Sequence, residues 1–517
     1  MGASVNRADL DSFRSFVAER FGLRFEEDKS EFLAEVIGNR IDATGLRSYS
    51  SYQHLRLYSY QEMRVLAEQL TVGETYFFRY TEHLQAFVEV VVPKCVRAHA
   101  QSQQIRILSA GCASGEEAYT LAILIRERLP ELASWDIRIH GIDLNASMVK
   151  KAVSARYPAW SFRTTPPDLR DKYFSEDSSG FALSGRMKSM ATFEERNLTA
   201  ADPSFWRANS FDVVFCRNVS MYLTLQANEA LFARIAQSLA PGGFLFLGHA
   251  ETLRGLSQDF HLRHSHNTFY YERKSDDEPR AARSSVPALT AGKSARTAVP
   301  LAVEPNASWT DVIVQSSKRI ASLTDRAAIQ GSGPRSRRAV ERPPADKGLG
   351  WDPTTALDLL RSERFVEALD LIRELPPGAK ADPDAQLLLA VLLTNNGDLF
   401  EAQKICAEIL ESDDLNAGAH YLMALCKEHA GDRNAAITHD QTAIYLDPAF
   451  AMPHLHLGLM AKRAGDRETA KREIGQALTL LWREDSSRIL LFGGGFTREA
   501  LAEFCRAQLG ACGGNRD

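Results

Sequence analysis

The residues best placed to do chemistry in this chain lie in one turn, Ser109-Ala-Gly-Cys-Ala-Ser-Gly-Glu-Glu117, and in an acid 28 positions past its second glycine, Asp143. Glycines at 111 and 115 let a backbone approach a ligand closely, and a helix start just beyond them offers free N–H groups. The turn holds only two glycines and ends in two carboxylates, which sit badly beside a pyrophosphate. A cationic nucleoside such as S-adenosylmethionine tolerates them. Asp143 is of the right type to accept hydrogen bonds from ribose hydroxyls. An acid after a strand is also often a helix N-cap, so the assignment rests on its pairing with the glycine turn.

The elements that must position these residues can be read around them. Ile105-Arg-Ile-Leu108 precedes the turn and the helical pattern Ala118–Ile125 follows it, the strand–turn–helix order of a nucleotide-type α/β unit. Asp136–Asp143, Phe211–Cys216 and Gly242–Gly248 read as further strands, the last preceded by a helix over Asn228–Leu239, and His266–Glu272 as a closing strand. This alternation predicts a Rossmann-like, doubly wound α/β domain over 73–274. Residues 157–195, with Pro158, Pro166 and Pro167, break the rhythm and predict a small inserted β-subdomain. Before it, Phe13, Phe16, Val17 and Phe21, then Phe32, Leu33, Val36, Ile37 and Ile41, fall at helical spacing and predict an N-terminal helical domain over 1–72.

Residues 275–348 are rich in Ser, Ala, Pro and Arg and are expected to be a disordered linker. From 349 to 485 the chain repeats. Gly397-Asp398, Gly431-Asp432 and Gly465-Asp466 are 34 apart, as are Ala402, Ala436 and Ala470. Ala390, Ala424 and Gly458 keep the same step, and a degenerate copy aligns Ala368 with Ala402. A 34-residue helix-turn-helix period is the tetratricopeptide (TPR) signature, so an all-α TPR array is expected, with a groove for an unknown protein or peptide. Residues 486–517 read as a capping helix region.

Other function classes fit poorly. A hydrophobic fraction of 44% with 25% charged residues is ordinary for a globular protein. The formal charge of −5 gives no nucleic-acid footprint. The seven cysteines are scattered without a C-x-x-C pair, so neither a metal site nor a disulfide framework is expected, and a cytoplasmic location is. Direct membrane insertion is not expected, because no signal peptide or long apolar run is present. There is no P-loop lysine and no G-x-S-x-G elbow. His420 and His454, one period apart, suit packing or the groove surface better than a metal.

Six motifs in one order carry a family resemblance. They are Thr71–Arg79 with Glu82-His83, Gly111–Glu117, Gly141-Ile-Asp143, Asn197-Leu198, Phe215–Tyr222 and Gly248-His-Ala-Glu251. Over residues 8 to 273 the chain resembles the CheR-type chemoreceptor glutamate methyltransferases. Its TPR extension is similar to that of the longer members in Wsp- and Frz-type chemosensory systems. The resemblance implies S-adenosylmethionine as cofactor and methyl-ester formation on glutamates of a chemoreceptor cytoplasmic domain, in chemosensory adaptation. It implies catalytic roles for Arg79 and Tyr222, the latter near the transferred methyl. It implies cofactor contacts from Gly73, Thr75 and Arg79 in the N-terminal segment and from Gly111 in the turn. Glu117 and Asp143 would hold the methionyl or ribose portions, Asn197 and Leu198 would flank the adenine, and Arg217 and Asn218 would close the site. The insert is similar to the β-subdomain that grips a receptor C-terminal pentapeptide in some members. Its Arg163, Arg170, Lys172, Arg186 and Lys188 could meet an acidic surface.

Two departures stand out. Gly73 occupies a position where many members have Asn, and Val36-Ile-Gly-Asn-Arg40 keeps one arginine where the family often has several. The chemistry suits the residues present. A glutamate carboxylate is already ionised at neutral pH, so no strong general base is needed. Positioning in a water-poor site does the work, with a cation such as Arg79 orienting the acceptor. The alternatives are a methyltransferase acting on another protein or a small molecule, and a non-catalytic TPR scaffold.

Overall fold

The computed structural model describes residues 6–178, 180–276, 309, 313, 354–361 and 364–513, and the chain divides into two compact units, Met1–Glu278 and Pro279–Asp517.

The first unit opens with helices. In α1 (Arg7–Phe21) the Asn6 side chain accepts from the Asp9 N–H at 2.9 Å, and Asp9 accepts in return from the Asn6 N–H at 3.2 Å. This capping box starts the helix, and Phe13, Val17 and Phe21, four apart, bury one face. α2 (Ser30–Ala43) does the same with Leu33, Val36, Ile37 and Ile41. α3 (Tyr49–Tyr58) and α4 (Tyr60–Leu70) complete the group. Buried Glu62 of α4 takes both prongs of the Arg40 guanidinium at 2.7 Å and the Tyr52 hydroxyl at 2.7 Å. Arg40, the single arginine kept in α2, is thus committed to holding helices together. α5 (Thr81–Ala86), a π-helical turn over Phe87–Val91 and α6 (Val92–Ala98) lead to the sheet.

The sheet follows a strand–helix rhythm. β1 (Gln104–Ala110), α7 (Glu116–Arg128), β2 (Asp136–Asp143) and α8 (Ala146–Ser154) come first. An insertion contributes β3 (Arg156–Tyr157), α9 (Pro167–Tyr173), β4 (Phe174–Asp177), β5 (Gly180–Leu183) and α10 (Gly185–Lys188). Then come β6 (Ala191–Glu195), β7 (Phe211–Cys216), α11 (Leu225–Ser238), β8 (Leu239–Leu247), β9 (Phe260–Ser265) and β10 (Thr268–Arg273). The seven-stranded order is β6-β2-β1-β7-β8-β10-β9. The first five strands run parallel to one another, β10 pairs antiparallel with β8 and β9 antiparallel with β10, giving a Rossmann-like mixed sheet. β7 is apolar and buried along most of its length, as a central parallel strand covered on both faces must be. β1 has β2 on one side and β7 on the other, so the chain turns back across it. That switch point opens a crevice at the carboxyl ends of the strands.

Two sheet expectations need correction. Ala191–Glu195, assigned from sequence to the insert, pairs in parallel with β2 and belongs to the main sheet. The insert's own sheet is the antiparallel β3-β5-β4, over 156–183. The closing strand is the second arm of a hairpin: Ser265 pairs with Thr268 across His266-Asn267, both with positive φ, the two-residue turn that matches strand twist.

The second unit is a TPR-type helical array. First helices begin at 383, 417 and 451, as Pro383–Asn396, Ala417–His429 and Ala451–Arg463. Second helices begin at 399, 433 and 467, as Leu399–Ser412, Arg433–Leu446 and Arg467–Leu481. Both series advance by 34. Ala402, Ala436 and Ala470 are fully buried where paired helices cross. An earlier pair, Thr354–Arg361 and Phe365–Arg373, precedes them, and Ser486–Phe492 and Arg498–Gly513 follow. Most of 275–348 lies outside the described residues. Two positions in it are described, Trp309 and Ile313, and both are buried in the second unit.

Candidate active site

Each strand of the crevice hands over a functional residue at its carboxyl end. β1 leads to Gly111, β2 ends on Asp143, β6 leads to Asn197, β7 to Arg217 and β8 to Gly248. A cavity of about 690 Å³ lies there, lined from the N-terminal region by Phe21, Leu23 and Phe32. Its lining includes Thr75, Arg79, Gly111, Glu117, Asp143, Asn197, Leu198, Arg217, Asn218 and Tyr222. Ten of the eleven site residues expected from sequence therefore meet at one cavity. Gly73 does not line it. A Cβ there would lie 2.7 Å from Cε, the flexible end of the Met148 side chain on α8.

The glycine turn is held from behind. Asp143 Oδ2 accepts from the Ala113 N–H and Oδ1 from the Asn145 N–H, each at 2.8 Å. Burial raises the Asp143 carboxyl pKa, and the backbone N–H groups counter it. Gly111 has φ +75°, and a Cβ on it would meet Val219 Cγ2 at 2.4 Å, so turn and β7 loop approach as only glycine allows. Glu116, which from sequence only favours a helix start, is 2% exposed and accepts from Ser114 at 2.7 Å and Ser161 at 3.1 Å. It ties the turn to the insert. Glu117 accepts from the Ser109 hydroxyl at 2.7 Å on one oxygen and from Arg217 Nε at 2.7 Å on the other. The same guanidinium donates to the Arg79 carbonyl at 3.0 Å. Glu117 thus holds Arg217, which holds Arg79, while the carboxylate keeps further lone pairs for a ligand.

Arg79 sits between two left-handed residues, Phe78 at φ 57° and Tyr80 at φ 62°. Such conformations cost about 1–3 kcal/mol each and tend to persist at functional sites. The Phe78 N–H donates to Thr120 Oγ1 at 3.1 Å, which fixes the strained turn. The guanidinium reaches the Tyr80 hydroxyl at 3.1 Å and the Glu74 carbonyl at 3.4 Å, and its buried Nε has no partner. No carboxylate among the described residues pairs with it. Behind it, burial pushes the His83 imidazole down to about 2, so this ring is neutral.

The residue that sequence reasoning left without a role is Glu251. It is 3% exposed. One oxygen accepts from the Val219 N–H at 2.9 Å and the Ser220 N–H and hydroxyl at 2.8 Å; the other accepts from the N–H groups of Asn218 at 2.6 Å and Gly248 at 2.7 Å. One carboxylate thereby shapes the loop that carries Arg217, Asn218 and Tyr222. Asn197 holds the opposite wall. Its amide donates to the Arg20 carbonyl at 3.0 Å, and its oxygen accepts from Thr199. Tyr222 is 41% exposed, and its carbonyl accepts from the Arg24 N–H at 2.7 Å.

Burial pushes the thiols of Cys112 and Cys216 well up, so neither is a nucleophile at neutral pH. Among the described residues no group of three His, Cys, Asp or Glu gathers as a metal site, and no helix is long and apolar enough to cross a membrane.

A doubly wound sheet with this cavity at its switch point has the architecture of nucleoside-binding enzymes, and the family match places it in the methyltransferase class. Residues 73–269 match the description "CheR methyltransferase, SAM binding domain", and residues 8–71 match "CheR methyltransferase, all-alpha domain". The chain belongs to the CheR methyltransferase family. It is 32% identical over 272 residues to chemotaxis protein methyltransferase 2 of Vibrio cholerae, covering 52% of this chain and 94% of that one. It is 27% identical over 471 residues to the Probable biofilm formation methyltransferase WspC of Pseudomonas putida, covering 89% of this chain and 96% of that one. The second likeness runs into both units.

The cavity fits S-adenosylmethionine, the family's cofactor. It has room for a nucleoside, a glycine turn open to it, two carboxylates for cationic and hydroxyl groups, and apolar walls at Leu23, Phe32 and Leu198.

Proposed function

We propose that this enzyme esterifies glutamate side chains on the cytoplasmic domain of a chemoreceptor, setting the gain of a chemosensory pathway inside the cell. The observation that carries the reading is Arg79, a guanidinium at the cavity with no carboxylate partner among the described residues and with a buried Nε unbonded. An incoming glutamate carboxylate supplies that partner as a charge-assisted pair. S-adenosylmethionine, when bound, supplies an electrophilic methyl group on a sulfonium. Thr75, Glu117, Asp143 and Arg217 bind and orient it, and Asn197 and Leu198 form the wall for its base. Phe21, Leu23 and Phe32 exclude water. Arg79 orients the acceptor oxygen, Tyr222 borders the site of transfer, and no residue has to remove a proton because the acceptor is an anion at neutral pH. The TPR array serves as a recruiting surface for a protein partner.

Transfer of labelled methyl groups to receptor cytoplasmic fragments tests the reading. Label that is released by mild alkali is the expected result, since esters hydrolyse. Label that survives alkali would mean a different acceptor atom.

A further inference from the structure

Tyr80 falls between two of the motifs that carry the family resemblance, Thr71–Arg79 and Glu82-His83, so the resemblance assigns it nothing. The structure places it among the residues of the site. It takes φ 62° immediately before α5, and its hydroxyl oxygen accepts from Arg79 Nη2 at 3.1 Å and from Asn218 Nδ2 at 3.5 Å. Both of those side chains line the cavity, which brings the hydroxyl to the cavity's edge. A phenol oxygen that accepts twice still carries one hydrogen to donate. Among the described residues nothing accepts that hydrogen.

The ring that carries the hydroxyl is held from several sides. It stacks on the exposed His249 ring, with 4.2 Å between centres and 23° between planes, and His83 meets it edge-on at 5.9 Å and 82°. His83 in turn stands at 90° to His249, 4.8 Å away, and packs on Phe246 of β8 at 5.8 Å. This bracket of rings fixes where the hydroxyl sits. Two guanidinium groups lie near the ring centre, Arg79 at 4.9 Å and Arg217 at 5.3 Å, within cation–π range. Glu117 neutralises Arg217 at 2.7 Å, whereas Arg79 has no carboxylate among the described residues. A donor hydroxyl beside an unneutralised guanidinium is a place for an anion's oxygen.

We infer that Tyr80 is the second donor to the acceptor glutamate: its O–H bonds the carboxylate oxygen that Arg79 also holds, and the other oxygen is left to meet the methyl group. The inference rests on the reading of Arg79 as the seat of a glutamate carboxylate and supplies that arginine's working partner. Methyl transfer turns the carboxylate into a neutral ester, so both donors grip the acceptor more tightly before transfer than during it. Tyr80 therefore acts chiefly on receptor binding and on the orientation of the bound carboxylate.

Initial rates of methyl transfer from labelled S-adenosylmethionine to receptor cytoplasmic fragments, by full chain carrying Tyr80→Phe, test this. Phe keeps the stacked ring and loses only the hydroxyl. The value of kcat/KM is expected to fall about 10- to 100-fold, mostly through KM, the worth of one hydrogen bond to a charged acceptor. Affinity for S-adenosylmethionine, read by calorimetry, should stay within about twofold. A difluorinated tyrosine in place of Tyr80 separates donating from accepting. Its phenol ionises at lower pH than that of tyrosine, and ionisation removes the donor hydrogen while strengthening the oxygen as an acceptor for Arg79 and Asn218. The alkaline fall in kcat/KM should therefore move to lower pH. Arg79 and Arg217 stay charged throughout, and His83 and His249, the other titratable groups facing the ring, are the same in both proteins. A Tyr80→Phe rate within about twofold of the unaltered chain would overturn the inference, as would an equal loss of cofactor affinity or an alkaline limb that does not move. Label that survives mild alkali would bring down the glutamate reading instead, and this inference with it.

Discussion

Exchanging Glu251 for Gln removes a charge and almost no volume. The five hydrogen bonds to this carboxylate at 2.6–2.9 Å all come from donors. A Gln amide keeps one acceptor oxygen and replaces the other by an NH₂. With the oxygen kept toward Val219 and Ser220, the NH₂ faces the N–H groups of Asn218 and Gly248, donor against donor. Two hydrogen bonds to a charged acceptor are lost, at about 1.5–3 kcal/mol each. Loop movement and water entry recover part of this, so the local cost is about 2–4 kcal/mol. Amides 218–221 and 248 should then exchange hydrogen roughly 30- to 700-fold faster. Cofactor affinity, read by calorimetry, should fall at least about tenfold as Arg217 and Asn218 lose their frame. Glu251→Asp, one methylene too short to serve both sides of the loop, should be no milder. Exchange rates within about twofold of the unaltered chain, with unchanged cofactor affinity, would refute the reasoning.

Three further outcomes are expected. Arg217→Lys keeps the charge but cannot reach both Glu117 and the Arg79 carbonyl, so kcat/KM for methyl transfer should fall about 10- to 100-fold; a change under twofold would sever Arg217 from Arg79. Asp143→Ala should weaken S-adenosylmethionine on the order of 1.5–3 kcal/mol by calorimetry, and an unchanged affinity would remove Asp143 from the site. In the array, burial holds the Glu484 carboxyl up to about 7 against an ordinary 4.5, despite Arg488 at 3.3 Å. A raised acid pKa gives stability that is complete below the unfolded value and lost as pH rises through the folded one. Glu484→Gln should therefore gain on the unaltered array between about pH 4.5 and 7 in thermal melts, and parallel melting curves across that window would contradict it.

Much of the site was legible because its residues answer local backbone demands. A two-glycine turn after an apolar run and an acid at the next strand end can each be read within a few positions. The 34-residue period was legible for a related reason, since every repeat must solve the same packing problem with the same small residues. What stayed hidden depends on distant partners. Glu251 is one acid among many until five backbone N–H groups from two loops converge on it. Arg40 reads as a surface cation until Glu62 appears opposite. Gly73 carries a cofactor role only through resemblance, and its neighbour Met148 lies in a distant stretch of chain. Ala191–Glu195 is short and ends in two acids, and its place in the main sheet appears only when it pairs with the β2 edge. Trp309 stands in a stretch of low-complexity composition, where averaging over neighbours erases a single anchor.

The seam between the helical start and the sheet has an evolutionary consequence. The Arg20 carbonyl takes the Asn197 amide, Leu23 bridges to Leu223, and the Thr224 N–H donates to the Gly22 carbonyl at 2.8 Å. One pocket is thus inherited in two pieces that match separate family descriptions meeting near residue 72. A recombination breakpoint there would join walls that had never been selected together. Exchange should be tolerated far better beyond residue 273, where the closing hairpin has ended and, among the described residues, none lines the pocket.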